Sequence, residues 1–459
     1  MGTTVKTKPR AFASTRNACK MCAPLGAAVA FRGIEGCVPL VHGSQGCSTY
    51  IRRYVISHFR EPIDVASSNF TESSAIFGGG DNLARALDNV TSQYAPGAIG
   101  VASTCLSETM GEDVGMHLRQ YRASRGAGAP EIFNASTPSY RGTHVDGFHE
   151  AVYAAVAALC PPGSAVDVAR GSSINVFPGF VSAEDIREIK SILAAFGVTG
   201  TVMPDYSDSL DGESWEEYRK LPEGGTPLAA ISAMSRSAGS LQLGTAIPEG
   251  RDAAGYLERE FAVPVERPGL PIGIDATDRF MDAIGRLTGA KTPREILRQR
   301  GRLVDAYVDG HKYLFGKRAV VYGDEDFAVA IAAFLSEIGV IPALVVTGAA
   351  SARFRERVAA ACPGSCESVV AMEDGDFASA LEVAREAKPD FAVGNSKGLY
   401  VTRGLDIPLV RCGFPIHDRM GAQRVLHLGY RGTIGLFDRV CNALMRESQD
   451  RAKSGYTYI

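Results

Sequence analysis

Three cysteines near the start of the sequence have the chemistry and the surroundings to bind iron. Cys22 and Cys47 lie beside proline or glycine residues that bend the backbone, and Cys105 follows the apolar run 99–102. That run is typical of a buried parallel strand, and ligand residues in open α/β sheets come at the carboxyl ends of strands. A thiolate presented there, with backbone N–H groups free to donate to its sulfur, suits an iron–sulfur cluster.

The alternative for each cysteine is a thiol that only fills space, because free cysteine behaves as a small and often buried side chain. Three cysteines in separate turns favour ligation, although separations of 25 and 58 residues match no local template. Cys19 forms a C-x-x-C pair with Cys22, which would suit redox exchange, half of a zinc site or a bystander role. We predict that Cys37, Cys160, Cys412 and Cys441 belong to the core, and Cys362 with Cys366 lacks the second pair that a zinc site needs.

The composition indicates a large enzyme subunit with no attraction to polyanions. The 48 basic and 51 acidic residues give a net charge of −3, which favours neither nucleic acid nor an acidic membrane. We find no apolar stretch of membrane-spanning length and no signal-peptide core, so we expect no membrane contact. Ten cysteines without an export signal predict a reducing, cytoplasmic location.

Strand and helix patterns alternate along the chain, and these are the elements that must position the cysteines. After the apolar run 174–177, Ser182 and Asp185 have the spacing of a helix cap, and a helical stripe follows. Repeated βαβ units imply right-handed crossovers and predict an α/β protein with three doubly wound, Rossmann-like parallel sheets. We predict a flexible arm at 1–16, a cluster-binding domain at 17–168, a second domain at 169–315, and a third at 316–459 with C-terminal helices. A polar surface loop is predicted at 205–225.

Particular motifs add a resemblance that covers nearly the whole chain. The sequence resembles the component 1 family of nitrogenases and nitrogenase-like reductases, and within it the β-type subunit. The matching segments include CAPLGA at 22–27, VHGSQGC at 41–47, HFREP at 58–62, AIFGG at 75–79, TCLSE at 104–108, TPSY at 137–140, RGRLVD at 300–305 and RCGFP at 411–415.

The resemblance implies the β-like subunit of an α2β2 reductase. In that family three β-subunit cysteines ligate half of the P-cluster, an 8Fe–7S centre at the α/β interface, and their places fall on Cys22, Cys47 and Cys105. Electrons would arrive from an ATP-hydrolysing iron protein, a homodimer that docks transiently, and pass to a metallocofactor in the α-type partner. The substrate would be dinitrogen or, in the methylthio-alkane reductase branch, a C–S compound.

Further residues take roles only through this resemblance. Ser139 falls near a serine that ligates a P-cluster iron upon oxidation, although its separation from Cys105 is one residue shorter than the family pattern. Tyr50 corresponds to an aromatic residue between the P-cluster and the partner's cofactor, and Phe77 to the apolar patch that faces the iron protein. Ordinary core packing is the alternative for both aromatic residues.

A second metal site is predicted on an acidic helix face. Asp305 and Asp309 are spaced at i and i+4, so on a helix they would share one face. Unpaired like charges there suit either solvent or a divalent cation that takes oxygen ligands. In the resembled family these positions and one matching Glu61 form a cation site between two β subunits.

Two alternatives come from other functional classes. One is the N-type scaffold for cofactor maturation, whose chains keep a cysteine at the place of Cys47 but not at the other two. The other is a binding protein without redox chemistry, on the same fold. Because no glycine-rich phosphate-binding motif is present, we expect no nucleotide on this chain.

Overall fold

Parallel strands flanked by helices form the protein, because strand-length apolar runs alternate with amphipathic helical segments along the sequence. The computed structural model describes residues 19–163, 170–217, 219–364 and 368–452. The predicted arm at 1–16 and Cys366 lie outside these ranges. No described helix has both the length and the apolar character needed to cross a bilayer.

The strands alternate with helices as the sequence predicts. The strands are β1 (Cys37–His42), β2 (Ala66–Ser67), β3 (Ala98–Ser103), β4 (Glu131–Ala135), β5 (Ile174–Phe177), β6 (Gly200–Val202), β7 (Gly239–Gln242), β8 (Val265–Glu266), β9 (Arg318–Gly323), β10 (Ile341–Thr347), β11 (Val370–Met372), β12 (Phe391–Gly394) and β13 (Leu409–Arg411). The helices of the first part are α1 (Ala23–Arg32), α2 (Gln45–Phe59), α3 (Glu72–Phe77), α4 (Gly80–Tyr94), α5 (Cys105–Thr109), α6 (Val114–Arg125), α7 (His144–Leu159), α8 (Ala183–Ala195), α9 (Leu228–Ala233) and α10 (Ala253–Phe261). The later helices are α11 (Ile274–Thr288), α12 (Arg294–Leu314), α13 (Glu325–Glu337), α14 (Phe354–Ala361), α15 (Phe377–Ala387), α16 (Leu399–Leu405) and α17 (Gly429–Arg451).

The described strands form three sheets, and every strand pair in them is parallel. The first sheet has the order β2-β1-β3-β4, the second β6-β5-β7-β8 and the third β11-β10-β9-β12-β13. In each sheet the chain adds strands on one side of the first strand and then returns to the other side. This is the doubly wound pattern, and the predicted fold class is confirmed.

The described residues divide into two compact units. Unit 1 contains residues 19–20, Pro268–Asp282 and the described residues from Lys291 onwards, and it holds the third sheet. Unit 2 contains Met21–Arg267 and Ala283–Ala290, and it holds the first and second sheets. The boundaries predicted at 168 and 315 stay a prediction.

Local signals in the sequence produce the expected helix ends. Ser182 caps α8 in a capping box, in which its Oγ accepts from the Asp185 N–H at 3.0 Å and its N–H donates to Asp185 Oδ2 at 3.0 Å. Gly197 follows that helix with φ of 68°, and Gly339 follows α13 with φ of 78°, a conformation that glycine adopts without strain.

The stretch 205–225 has no helix or strand among its described residues, as the loop prediction requires. It is nevertheless anchored, because Tyr206 is fully buried and its hydroxyl donates to the Val181 carbonyl at 2.7 Å. Its polar composition gave no signal that one aromatic side chain enters the core.

Candidate functional site

Each of the three predicted ligand cysteines lies at the start of a helix in unit 2. Cys22 is the N-cap of α1, Cys47 is the third residue of α2, and Cys105 is the first residue of α5. The first backbone N–H groups of a helix have no partner within it, and they can donate to a nearby sulfur. The three cysteines therefore share one local environment, although they come from three separate segments.

Two of these helices begin at the carboxyl edge of the first sheet, where the strand order reverses. β1 and β3 are parallel neighbours with His42 opposite Ser103, and they lead directly into the segments that carry Cys47 and Cys105. The reversal of strand order at this point leaves a crevice above the strand ends, as in other open α/β sheets. The prediction that Cys105 follows a buried strand is confirmed, and Cys47 follows the neighbouring strand in a similar way.

Cys22 precedes β1, so a helix contact brings it into place instead. Every residue of α1 is buried, and α7 crosses it closely. A Cβ atom on Gly26 would lie 1.6 Å from the His144 carbonyl oxygen, and one on Gly147 would lie 1.9 Å from the Ala23 carbonyl oxygen. The two backbones touch, and only glycine permits this approach.

Ser139 connects two of the cysteine segments. Its Oγ accepts from the backbone N–H of Ala23, next to Cys22, at 3.1 Å. Its own backbone N–H donates to Cys105 Sγ at 3.2 Å. The predicted fourth residue of the site thus contacts one thiol directly and the neighbour of another.

A carboxylate that the sequence analysis did not single out holds the Ser139 segment in place. Glu108 accepts hydrogen bonds from Ser136 Oγ at 2.6 Å and from Ser103 Oγ. Thr137 then donates its N–H to Ser103 Oγ at 2.8 Å and its hydroxyl to the Ser103 carbonyl at 2.6 Å. The ends of β3 and β4 are joined by this network. Its sequence signal was the TCLSE motif, which contains Glu108.

The three thiols lie close enough for the charges of Cys47 and Cys105 to affect Cys22. Burial raises the pKa of the Cys22 thiol to about 12, and repulsion from Cys47 and Cys105 adds to this effect while the Leu25 N–H opposes it. All three cysteines are free, with Cys105 exposed and the other two half-buried. A buried thiol without a countercharge stays protonated, whereas a metal cation stabilises the thiolate outright.

The three cysteines supply soft sulfur donors. Among the described residues, no three His, Cys, Asp or Glu side chains are arranged to hold a single metal ion. The three thiols nevertheless interact, and backbone N–H groups supplement them. Sulfur donors of this kind, supported by backbone N–H groups, suit an iron–sulfur cluster.

The two predicted aromatic residues have different surroundings. Phe77 ends α3 with 87% of its surface exposed, which excludes core packing. Tyr50 is 37% exposed, its hydroxyl lies 3.9 Å from Met21 Sδ, and its ring packs against Tyr54 at 4.7 Å between centroids. Burial raises the pKa of Tyr50, and the nearby Cys22 raises it further.

The predicted cation ligands lie in different units. Asp305 and Asp309 are both exposed on α12 in unit 1, one helical turn apart as expected. Glu61 is half-buried in unit 2, two residues after the end of α2. Whether the three residues bind a cation stays a prediction.

One buried polar cluster was missed by the sequence analysis. Glu112, 6% exposed at its side chain, contacts His117 Nε2 at 3.1 Å and lies 3.8 Å from Nε2 of the fully buried His42. Burial lowers the pKa of His42 to about 4, although the Glu112 carboxylate opposes this shift. His42 stands in the VHGSQGC motif, but nothing in the sequence pairs it with Glu112.

The other cysteines have the surroundings predicted for core residues. Cys37, Cys160, Cys412 and Cys441 are buried. Cys19 is also buried, and it packs in unit 1 with a core cluster that contains Tyr322, Leu344 and Val346.

Comparison with known proteins gives one family over nearly the whole length. Residues 22–445 match the model of the nitrogenase component 1 type oxidoreductases. The nitrogenase molybdenum-iron protein beta chain of Clostridium pasteurianum is 37% identical over 433 residues, which covers 94% of this chain and 93% of the relative. The beta chain of Methanococcus maripaludis is 35% identical over 445 residues, with 94% and 95% covered.

Solved structures agree with these sequence relatives. A structure described as nitrogenase Cp1 at pH 6.5 superposes with a TM-score of 0.92 at 34% identity, over 98% of each chain. A second chain, from nitrogenase Cp1 at pH 5, has a TM-score of 0.70 at 17% identity, and it shares the fold.

Proposed function

The chain belongs to the nitrogenase component 1 type oxidoreductases as a β-type subunit, and from this membership we propose that it holds half of a P-cluster of the 8Fe–7S type. Cys22, Cys47 and Cys105 would supply the thiolates, with Ser139 beside them as a further oxygen donor. The observation that carries the proposal is the convergence of three helix starts on one sheet edge, each presenting a cysteine.

When bound, the cluster would accept electrons from the ATP-dependent iron protein and pass them to the cofactor of an α-type partner. This chain's residues would set the conditions for that transfer. The Ser139 N–H donates to Cys105 Sγ, and bonds of this kind to sulfur tune the potential of an iron–sulfur centre. Tyr50 lies next to Cys22 on the half-exposed side that the α partner would cover.

Substrate choice would belong to the partner. Selectivity requires different contacts with the reacting groups of each substrate, and a relay makes none. We propose reduction of dinitrogen or of a methylthio-alkane by the α subunit. The chain has all three cysteines, whereas the N-type scaffold keeps only the one at the place of Cys47, and this favours the relay role.

Replacement of one thiol tests the cluster assignment. In the anaerobically purified α–β complex, Cys47→Ala should lose most of the P-cluster iron and the cluster's electron paramagnetic resonance signal, because one iron loses its ligand. Cys412→Ala removes a buried thiol from unit 1 and should keep both the iron and the signal. Full iron content with an unchanged signal in Cys47→Ala would contradict the assignment.

Assembly with a second copy would use the exposed face of α12. Beside Asp305 and Asp309, this helix exposes an apolar stripe formed by Leu297, Val304 and Val308. A stripe of this kind flanked by charge is typical of a surface that packs against another helix. We propose that a divalent cation joins Asp305 and Asp309 of one copy to Glu61 of the other.

Native mass spectrometry tests this assembly. The double change Asp305→Asn with Asp309→Asn should lower the fraction of α2β2 tetramer and release αβ pairs, because the cation loses two charged ligands. Glu382→Gln, at an exposed position on α15, is the charge control and should leave the tetramer unchanged. A tetramer that persists in the double variant would favour a solvated acidic face.

A further inference from the structure

The Glu112 carboxylate connects residues 77–80, here called the Phe77 segment, with the interior of the first sheet. Phe77 ends α3, and the segment 78–80 then leads into α4. Glu112 Oε1 accepts from the Gly79 N–H at 2.7 Å, directly at the start of α4. Its other oxygen faces His117 and His42, as described above.

From His42 the connection continues to the segments that carry the thiols. The His42 carbonyl accepts from Thr104 Oγ1 at 3.0 Å, and Thr104 is the N-cap whose next residue is Cys105. The His42 ring contacts Ser68 Oγ at 3.0 Å, and Ser68 Oγ accepts from the N–H of Gly43 at 2.9 Å. Gly43 begins the turn before Cys47.

The packing at Gly79 leaves little space in which a movement of its backbone could be absorbed. A Cβ atom on Gly79 would lie 2.3 Å from Phe70 Cζ and 3.1 Å from His42 Cε1. Phe70 itself packs edge-on against His42 at 4.8 Å between ring centroids. Close-packed interiors of this kind transmit displacement, because every neighbour must move.

We propose that Glu112 is a positioning residue that couples docking of the iron protein at Phe77 to the loops that carry Cys47 and Cys105. The inference rests on the proposed function and extends it to regulation of the same site. Pressure on the Phe77 segment moves the Gly79 N–H, the carboxylate follows, and the contacts of His42 with both loops change. Such coupling is reciprocal. If docking shifts the redox equilibrium of the cluster by some factor, the oxidation state of the cluster must change the docking affinity by that same factor.

Simple capping of α4 is the competing explanation for the Glu112–Gly79 bond. A cap stabilises the helix in every oxidation state and has no effect on the ratio of two docking affinities. That ratio therefore distinguishes coupling from capping, because loss of a purely structural contact leaves it unchanged.

The test measures the dissociation constant of the iron protein for the α–β complex with the cluster chemically reduced and chemically oxidised. In the parent complex we expect the two constants to differ by about fivefold or more, the lower end of typical couplings. Glu112→Gln keeps the size of the side chain, and Glu112→Asp keeps its charge but withdraws it by one methylene. Both changes should lower the ratio to below about twofold. The amide of Gln lacks the negative charge that faces His42, and the shorter Asp side chain does not reach both Gly79 and His42.

Glu72→Gln is the matched control. It removes one negative charge from exposed α3, beside the same docking patch, without touching the Glu112 contacts. It should change both dissociation constants together and keep the parent ratio.

Three outcomes would overturn the proposal. The parent ratio could be near one, or the two Glu112 variants could keep the parent ratio. The variants could also assemble normally but lose the cluster iron, which would make Glu112 necessary for building the site. A parent complex without any iron would instead contradict the proposed function, and iron analysis of the same samples separates that case.

Discussion

The carboxyl edges of the first and third sheets share one topology and have opposite chemistry. In each sheet the chain crosses from one side of its first strand to the other. The strand order therefore reverses between β1 and β3 in the first sheet and between β9 and β12 in the third. At the first-sheet edge, three cysteines stand at helix starts, and Cys105 is exposed. At the third-sheet edge, polar groups bond to one another and the chain itself covers the strands.

The contacts of the third-sheet edge explain its closure. Asp418 accepts from Arg411 Nη2 at 2.7 Å and from Ser396 Oγ. Cys19 donates its N–H to the Gly375 carbonyl at 3.1 Å, and Lys397 Nζ donates to the Lys20 carbonyl at 3.3 Å. Residues 19 and 20 thus lie across the strand ends, where a ligand would bind in an open edge.

Acidic side chains on α13 at this edge are also engaged. Glu325 and Asp326 both pair with Arg357. Within the described residues, the third-sheet edge thus presents paired charges where the first presents thiols. The doubly wound fold supplies a crevice at each reversal, and the side chains placed there decide what it can bind.

The largest effect on stability should come from disturbing the contact between α1 and α7, which positions Cys22 at the first-sheet edge. Gly26→Ala places a methyl group where the His144 carbonyl oxygen lies, so we expect a loss of about 3 kcal/mol in the free energy of unfolding. Gly435→Ala is the matched control, because no atom lies within 4 Å of its Cβ position on α17. It should stabilise by about 0.5–1 kcal/mol.

Chemical denaturation of both variants measures this effect, and iron analysis of the α–β complex adds a second readout. Gly26→Ala should also hold less iron, since Cys22 moves with α1. Equal stability of the two variants would show that α1 and α7 can move apart enough to accept the methyl group at no cost. The first-sheet edge would then not depend on their close contact.

A smaller difference should appear in acid. Burial lowers the pKa of His42 from 6.5 to about 4, so the unfolded chain binds a proton in this interval that the folded chain does not. The contribution of neutral His42 to the free energy of unfolding is therefore fully present above about pH 6.5. It falls as the pH decreases towards 4, with a loss of about 1–2 kcal/mol at about pH 5. Burial alone would raise the pKa of Asp418, but hydrogen bonds from Arg411 and Ser396 lower it from 3.8 to about 2. Its contribution is present above about pH 4 and is lost only below that value.

Hydrogen exchange, corrected for the pH dependence of the chemical exchange rate, checks this at the two edges. Between about pH 7 and pH 4.5, protection should fall at the end of β1 and remain at the end of β13. His42→Gln should remove the pH dependence at the first edge. An equal loss of protection at both edges in the parent protein would show that acid loosens the whole fold and that His42 is not the cause.

Much of the fold could be predicted from local pattern. The strand β5, the Ser182 capping box of α8 and the glycine end of α13 depend on residues within a few positions of one another. The placement of Cys105 just after a buried strand was predictable for the same reason. Local geometry is largely independent of the remainder of the chain, so short windows of sequence contain it.

Contacts between distant segments could not be predicted in this way. The Ser139 Oγ bond to the N–H of Ala23 spans 116 residues, and the Gly79 N–H bond to Glu112 spans 33. Tyr206 enters the core from a stretch whose composition is polar. Such contacts depend on how helices and strands pack, and no spacing rule within the sequence encodes them.

The sequence by itself determined the α/β class, the parallel strands, the residue types that could bind iron and, through resemblance, the family. Only the tertiary structure decided that three cysteines start helices at one edge, that Ser139 lies between two of them, and that Glu112 lies between Gly79 and His42. The physical reason is the range of the forces involved. Hydrogen bonding and steric limits within a segment act over a few residues, whereas a site is formed by close packing of segments that are far apart in the chain.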